Sequence, residues 1–363
     1  MKIFRAILKH TLLVINALFV IGYIFALFSN FVPPYRIVFF SYFGLLFPVF
    51  VIGNIFFVVF WAIRKKWFWL ISAALLLFSF PHANACFTIP YKSFGKQKTE
   101  QEIKILTYNI SSLNKLNKKA EREQFFDFIA ETDADIVCFQ EFGYRNEKDR
   151  DFFLAEMKKN YPYSHIWYKN QAKTNAWGVA TFSKFPIIFK KKIEFESKYN
   201  VSVFSDIVVN EDTVRVFNNH LESNKFSMTD VDKYYSIVGK SSKEEDGILD
   251  ITSVLSQKMS DAYKIRAVQA RIVAREIKKS PYKKIVCGDF NDVVESYAYH
   301  TIKGNLTDLY TSTSWGYRYT FYTKRMYVGI DHILIDKHFK PLSTKILHKK
   351  FSDHYPVVGE FGY

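Results

Sequence analysis

The first 95 residues of this 363-residue chain contain no aspartate and no glutamate. The same stretch carries Lys2, Arg5, Lys9, Arg36, Arg64, Lys65, Lys66 and Lys92. Cysteine is scarce too: Cys86, Cys138 and Cys287 are three, an odd number, which excludes a complete disulfide framework. No C-x-x-C and no His/Cys cluster at zinc spacing occurs, so a zinc-finger type of domain is excluded. Internal repeats and low-complexity tracts are absent, which argues against a solenoid. The formal net charge is +15. Removing the eight N-terminal basic residues leaves 42 basic against 35 acidic, +7 over residues 96–363. That excess suits an anionic substrate but is too small to argue specifically for nucleic acid.

What fills the acid-free region is apolar. Residues 11–29, "TLLVINALFVIGYIFALFS", and 37–63 are uncharged and long enough to cross a bilayer. Pro48 predicts a kink in the second, with a tight hairpin as the alternative. A third run begins at residue 67 and continues weakly to about 87. The reading is a three-helix transmembrane anchor over residues 1–90, a polar linker over 91–102, and a catalytic domain over 103–363. Basic residues crowd the N-terminal flank and the second-to-third loop, while the first-to-second loop has only Arg36. By the positive-inside rule the large C-terminal part faces away from the cytoplasm, although Lys92, Lys96, Lys98 and Lys104 oppose this. "ANAC" at 83–86 offers a small-residue processing pattern, late in the chain.

Beyond residue 102, "IKILTYNI" alternates as a strand does. Helices are expected over 117–131, near 147–160 and over 259–279, and a hairpin around "NEDT". Residues 225–258 read as a long polar surface loop with a partial helix. Cys138 and Cys287 lie in apolar runs and read as small buried hydrophobes. Hairpin-connected strands with fewer helices predict an α+β layered domain rather than a doubly wound sheet.

One stretch, "IVCGDFNDV", runs three apolar residues straight into Asp289, Asn291 and Asp292. An unpaired buried carboxylate is costly, so such groups face water, a metal or a substrate. A solvated turn is the bland alternative. Other strand-like runs also end in polar groups: Asn109, Glu141, His220, Asp331, and Asp353 with His354. Carboxylates and amides without a zinc set favour a hard cation such as Mg²⁺. Histidines beside carboxylates supply the proton donor, charge stabiliser and water activator that phosphoester hydrolysis needs.

The words "TYNI", "QE", "NNHLES", "GDFND", "GIDHIL" and "SDHYP" occur in that order, with "RAVQA" before "GDFND". Together they resemble the endonuclease/exonuclease/phosphatase superfamily, also called deoxyribonuclease I-like, in its membrane-anchored bacterial form. The resemblance implies a four-layer α/β/β/α sandwich and a Mg²⁺ (or Mn²⁺) cofactor. It implies that Asn109 and Glu141 hold the metal, Glu141 directly, with Asp353 as a further ligand to the metal or its water. Asp289 would orient or deprotonate the attacking water and Asn291 would bind the phosphate. His354, oriented by Asp331, would contact the phosphate, and His220 would assist the leaving group. Gly329 departs from the arginine that many members have there.

The implied enzyme is a phosphodiesterase or nuclease in a bacterial inner membrane, with no obligate protein partner. Its substrate is a nucleic acid or, alternatively, a phospholipid head group cut in the manner of sphingomyelinase or phospholipase C. A third reading is an inactive membrane scaffold of the same fold.

Overall fold

The computed structural model describes residues 2–90, 101–113, 119–172, 175–225, 245–323 and 326–362. Five apolar helices open the chain: α1 (Lys2–Phe28), α2 (Phe39–Leu45), α3 (Phe47–Ile63), α4 (Trp69–Phe78) and α5 (Phe80–Cys86). They run into a short strand, β1 (Phe87–Thr88). Next come β2 (Glu102–Asn109), α6 (Lys119–Glu131), β3 (Ile136–Tyr144), α7 (Glu147–Lys158), β4 (Tyr163–Ala172) and β5 (Asn175–Ser183). The second half contains β6 (Ile187–Ile193), β7 (Ser202–Val209), β8 (Asp212–His220), α8 (Glu245–Lys278), β9 (Lys283–Asp289) and α9 (Tyr297–Lys303). β10 (Thr307–Asp308), α10 (Leu309–Thr313), β11 (Gly316–Tyr317), β12 (Phe321–Tyr322) and β13 (Tyr327–Val328) follow. The described chain closes with β14 (Asp331–Ile335), β15 (Lys340–Ile346) and β16 (Val357–Gly362).

Two six-stranded sheets form the C-terminal part, in the orders β15-β16-β2-β3-β5-β4 and β10-β14-β9-β8-β7-β6. Only the β2–β3 and β8–β9 pairs in them are parallel, so the expected hairpin-rich α+β class is what forms. Period-two alternation sorts each strand between two faces. On β2, Ile103 and Ile105 join the apolar layer between the sheets with Cys138, Val216, Ile285, Cys287 and Ile333. Leu106 and Tyr108 instead face outward, into a layer with Phe125, Phe128 and Phe153 from α6 and α7. The outer face of the other sheet packs Phe217 and Val286 against Ala270 and Val273 of α8 and Tyr299 of α9. The result is helix, sheet, sheet, helix. Cys138 and Cys287 are fully buried thiols in the central layer.

The helices over 119–131 and 147–158 and the Asn210–Glu211 hairpin stand where periodicity put them. Residues 225–258 read as a loop with a partial helix, and the described part of them is helical from Glu245. Residues 226–244 lie outside the described residues, but α8 already begins at Glu245 and continues without a break to Lys278. The extension is used in packing, because the Tyr42 hydroxyl donates to the Ser256 carbonyl at 2.8 Å.

One N-terminal helix, over Ile3–Phe28, is long and apolar enough to cross a membrane. The other two apolar stretches are broken: α2 and α3 meet at 64°, and α4 and α5 at 79°. Each pair counts as a span only if the bent halves are taken together. The first break falls just before Pro48, the expected kink, and the second just before Pro81. α4 has 10 residues, about 15 Å at 1.5 Å per residue, half the hydrocarbon thickness of a bilayer. The third segment therefore departs from the continuous run expected over 67–87. Of the 91–102 linker, residues 91–100 lie outside the described residues.

Polar rungs lock these helices in register. Asn16 joins Trp61 and Ser72 through hydrogen bonds of 3.0 Å each, and Tyr23 meets Ser79 at 2.7 Å. Lys9 lies over the Phe68 ring. At the opposite end of α1, Ser29 and Asn30 hydrogen-bond Glu295 of the sandwich. Tyr23, Phe47, Val51 and Cys86 join the same apolar cluster as Phe290, Val294 and Tyr299. β1 also pairs with β11. The N-terminal helices are docked on the sandwich, not strung beside it. Cys86, at the end of "ANAC", is buried in this junction.

Candidate active site

The site follows from the alternation that builds the sheets. Val214, Val216 and Asn218 face the other sheet, so two residues on His220 does as well. Ile285 and Cys287 place Asp289 on the same face of β9, and Ile333 places Asp331 there on β14. Register then sets them side by side, because His220 pairs with Asp289 and Asp289 pairs with Asp331. Asn109 closes the row from the end of β2.

Glu141 breaks the pattern. Ile136, Cys138 and Gln140 face inward, so residue 141 should point outward. Instead, a bulge opens between Gln140 and Phe142, and Glu141 takes φ +48. The extra residue re-aims the carboxylate into the site. A left-handed glutamate is unfavourable, and here it brings Glu141 within 3.1 Å of the Asn109 amide.

Gly288 and Asn291 shape the strand end. Gly288 has φ +129, and an added Cβ would overlap the Asn219 carbonyl on β8. Only glycine suits that position. Asn291 has φ +52 and caps the turn, its backbone N–H donating to Asp289 Oδ1 at 2.7 Å. Its side-chain amide donates to the Leu221 carbonyl at 2.9 Å and to Asp289 Oδ2 at 3.2 Å.

Asp289 is the hub. Its Oδ2 accepts from Asn109 at 3.0 Å and stands 3.8 Å from both His220 Nε2 and His354 Nε2. Burial, and then the charge of Asp331, push its pKa up to about 6. His354 Nδ1 meets Asp331 Oδ2 at 2.9 Å. Burial alone would lower the His354 pKa, but Asp331, Asp289 and Asp353 outweigh it and raise it to about 10. Asp331 is itself held by its backbone N–H donating to Thr320 Oγ1 at 3.1 Å. Burial lowers the pKa of His220, whose Nε2 has no hydrogen-bond partner and lies 3.7 Å from Glu141. Desolvation raises Glu141 as well, although its side chain is 39% exposed, the open side of the recess.

The structure thus gathers Asn109, Glu141, His220, Asp289, Asn291, Asp331 and His354. Asp353 stands slightly apart: its Oδ1 accepts from Ser352 at 3.0 Å, and its charge contributes to the rise at Glu141. Asn109 offers its N–H₂ to the two carboxylates while its Oδ1 accepts from the Ser111 N–H. In this geometry it aligns oxygens. The oxygens of Glu141, Asp289 and Asp331 are hard donors that fit a magnesium-class ion better than zinc. Asp331 Oδ1 is buried without a partner, an unmet acceptor of the kind a bound ion or its water satisfies.

Two features escaped sequence reasoning. Asp292 turns away from the site to meet Arg266 of α8, 3.2 Å apart and almost wholly buried. Of the two carboxylates in "GDFND", one is the hub and the other braces the helix. Replacing Asp292 by alanine strands a buried guanidinium and is expected to cost about 3–5 kcal/mol of stability. Chemical denaturation checks this, with Arg266→Met/Asp292→Ala recovering much of the loss. The second feature is the place of Gly329, filled by the Arg318 side chain. That arginine bonds Asp308 at 2.6 Å and His332 at 2.7 Å.

A two-sheet sandwich with carboxylates, amides and histidines converging at one end is a phosphoesterase-like type of site. The endonuclease/exonuclease/phosphatase family pattern matches residues 106–354, more than half the chain, and the chain belongs to that family. Its members are typically phosphoester hydrolases that commonly use divalent metals. A domain of unknown function (DUF8431) matches residues 9–86. No curated protein matches. Among solved structures, the Bacteroides vulgatus endonuclease/exonuclease/phosphatase is similar at TM-score 0.52 and 17% identity, over 72% of this chain and 99% of that one. The Beutenbergia cavernae endonuclease/exonuclease/phosphatase gives 0.52 and 14%, over 72% of each chain. The human Nocturnin catalytic domain, solved with a bound sulfate anion, gives 0.50 and 17%, over 72% and 94%. At these identities the likeness is one of fold.

Proposed function

We propose that this protein is a membrane-anchored, Mg²⁺-dependent phosphodiesterase whose site faces the extracytoplasmic side. The observation that carries the hydrolase reading is Asp289, buried at 1% exposure with two histidine Nε2 atoms each 3.8 Å from one carboxylate oxygen. Glu141, aligned by Asn109 and with Asp353 nearby, would hold the metal. A bound Mg²⁺ supplies charge neutralisation on the phosphoryl oxygens. Asp289 orients and deprotonates the attacking water, with Asn291 and Asn109 fixing its oxygens. Asn291 and His354 meet the phosphate. His354 is cationic at neutral pH and, pinned by Asp331, stabilises the growing negative charge. His220 starts neutral; an arriving phosphate favours its protonated form, ready to give a proton to the leaving oxygen.

The topology reading rests on polarity along the bundle. Lys2, Arg5 and Lys9 begin α1, and Arg64, Lys65 and Lys66 join α3 to α4, far from the end that contacts Glu295. Positive-inside orientation then leaves the sandwich outside.

A second reading, a lipid-directed phosphodiesterase, has its own support. Glu295, which bonds the end of α1, is six residues from Asp289. Six residues span at most about 22 Å, so the hub sits within that distance of where the anchor meets the sandwich. A head group is then a near neighbour at high effective concentration.

The test is hydrolysis of bis-p-nitrophenyl phosphate by the full chain in detergent, with Mg²⁺ and with EDTA. Chelation is expected to lower the rate at least about 100-fold, with recovery on added Mg²⁺. Equal turnover in EDTA removes the metal assignment. A parallel panel of DNA, RNA and phospholipid vesicles separates the two substrates.

A further inference from the structure

The junction between anchor and sandwich contains a polar cluster that phosphodiester chemistry does not use. Glu295 lies just before α9 with its side chain 1% exposed. His82 of α5 presents Nδ1 at 3.1 and 3.2 Å from the two Glu295 oxygens. His300, one turn into α9, brings its ring to 5.6 Å from the His82 ring, centre to centre. One atom from each of the three residues falls within a mutual 4.8 Å. Asn30, at the end of α1, donates to the same carboxylate.

An ion pair accounts for His82 and Glu295 alone. It leaves His300 unexplained. The His300 ring hydrogen-bonds the Val294 backbone, yet Nε2 is buried with no partner. A ring that donates through Nδ1 to a carbonyl carries a lone pair on Nε2, the tautomer and backing that metal-binding histidines use. Two imidazoles and one carboxylate are a zinc-type donor set, borderline in softness, unlike the all-oxygen character at Asp289. With metal–ligand bonds near 2.0–2.2 Å, tetrahedral ligands stand about 3.3–3.5 Å apart. The His82–Glu295 separations of 3.1 and 3.2 Å fall a few tenths of an ångström short of that, and closing the third corner from within 4.8 Å asks for a movement of at most about 1.5 Å.

We propose that His82, Glu295 and His300 form a binding site for a zinc-class divalent ion that clamps the membrane anchor to the catalytic sandwich. The fourth position falls to water or, with the amide turned over from its present contact of Nδ2 with Glu295 and His82, to the unpartnered Asn30 oxygen. One ligand comes from the anchor and two from the segment that leads out of the "GDFND" turn. The ion would therefore fix the anchor against the loop that follows Asp289. This site is independent of the hydrolase reading: a chain without turnover could still bind the ion.

The test uses the full chain in detergent, with Glu141→Ala as background to weaken the other metal site. Co²⁺ serves as a spectroscopic probe and Zn²⁺ as the competing ion. The expected result is one Co²⁺ per chain with the intense visible bands of four-coordinate, nitrogen-containing ligation, displaced by stoichiometric Zn²⁺. His300→Ala, at the partly exposed corner, is expected to weaken Zn²⁺ at least 100-fold, since loss of outer partners alone costs about 10–100-fold. His82→Ala should act alike. Only weak, octahedral-type bands in the folded background protein would overturn the site. So would Zn²⁺ affinity unchanged in both histidine variants. Because the first reading needs no substitution at the junction, misfolding of a variant does not shield the proposal.

Discussion

Asp289→Ala is expected to lower kcat on bis-p-nitrophenyl phosphate by about 10³–10⁴-fold with little change in KM. A positioned general base contributes about 10²–10⁴-fold, and this residue also aligns its neighbours: Asn109, Asn291 and both histidines address it. Its pKa of about 6 predicts the acid limb of the rate profile. The base must be ionised, so activity is present above pH 6 and is lost as pH falls through that value. A bound cation favours the carboxylate, so saturating Mg²⁺ should move the limb to lower pH. A pH–kcat/KM series at two Mg²⁺ concentrations reads both effects. Unchanged turnover in the alanine variant would remove the catalytic assignment and favour the scaffold reading.

The second large effect is at His354. His354→Ala is expected to cost about 10²–10³-fold in kcat, the scale for losing one charged donor to a developing oxyanion. With a pKa of about 10, His354 is protonated through the neutral range, and its contribution fades as pH rises through 10. In the proposed mechanism Asp331 positions His354, and Asp331→Asn tests it separately. Removing that negative charge lowers the His354 pKa and also relieves Asp289, whose pKa the same charge raises, so both limbs should shift to lower pH. A purely structural loss would scale the profile without moving either limb. Stopped assays across pH 5–11 distinguish the two.

Membership of the endonuclease/exonuclease/phosphatase family accounts for much that was readable in one dimension. The words "TYNI", "NNHLES", "GDFND" and "GIDHIL" lie on alternating strands, so the inward facing of Asn109, His220, Asp289 and Asp331 follows from the apolar residues two or four positions away, Ile105, Val216, Cys287 and Ile333. The buried thiols and the break at Pro48 were readable for equally local reasons. Glu141 was found through its neighbours in "QE", not through its periodicity, which gives the wrong face. Nothing local announces that a bulge at φ +48 will turn it inward.

Distance along the chain hid the rest. Asp292 looked like a companion of Asp289 until α8 delivered Arg266 beside it. α8 takes in the partial helix read within 225–258, and Tyr42 of α2, more than 200 residues away, hydrogen-bonds its Ser256 carbonyl. The anchor read as three independent spans joined to the sandwich by a tether. In the fold, its end is bonded to Glu295, with Asn30 and His82 on one side and His300 on the other. By itself, then, the sequence determined the apolar segments, the strand faces and the polar residues gathered at the candidate site, because these depend on periods of two and 3.6 residues. Tertiary structure alone decided where Glu141 points, what Asp292 holds and how the N-terminal helices meet the sandwich. Each of those depends on a partner 26 or more residues away or on a strained backbone held by its surroundings, and no local pattern encodes either.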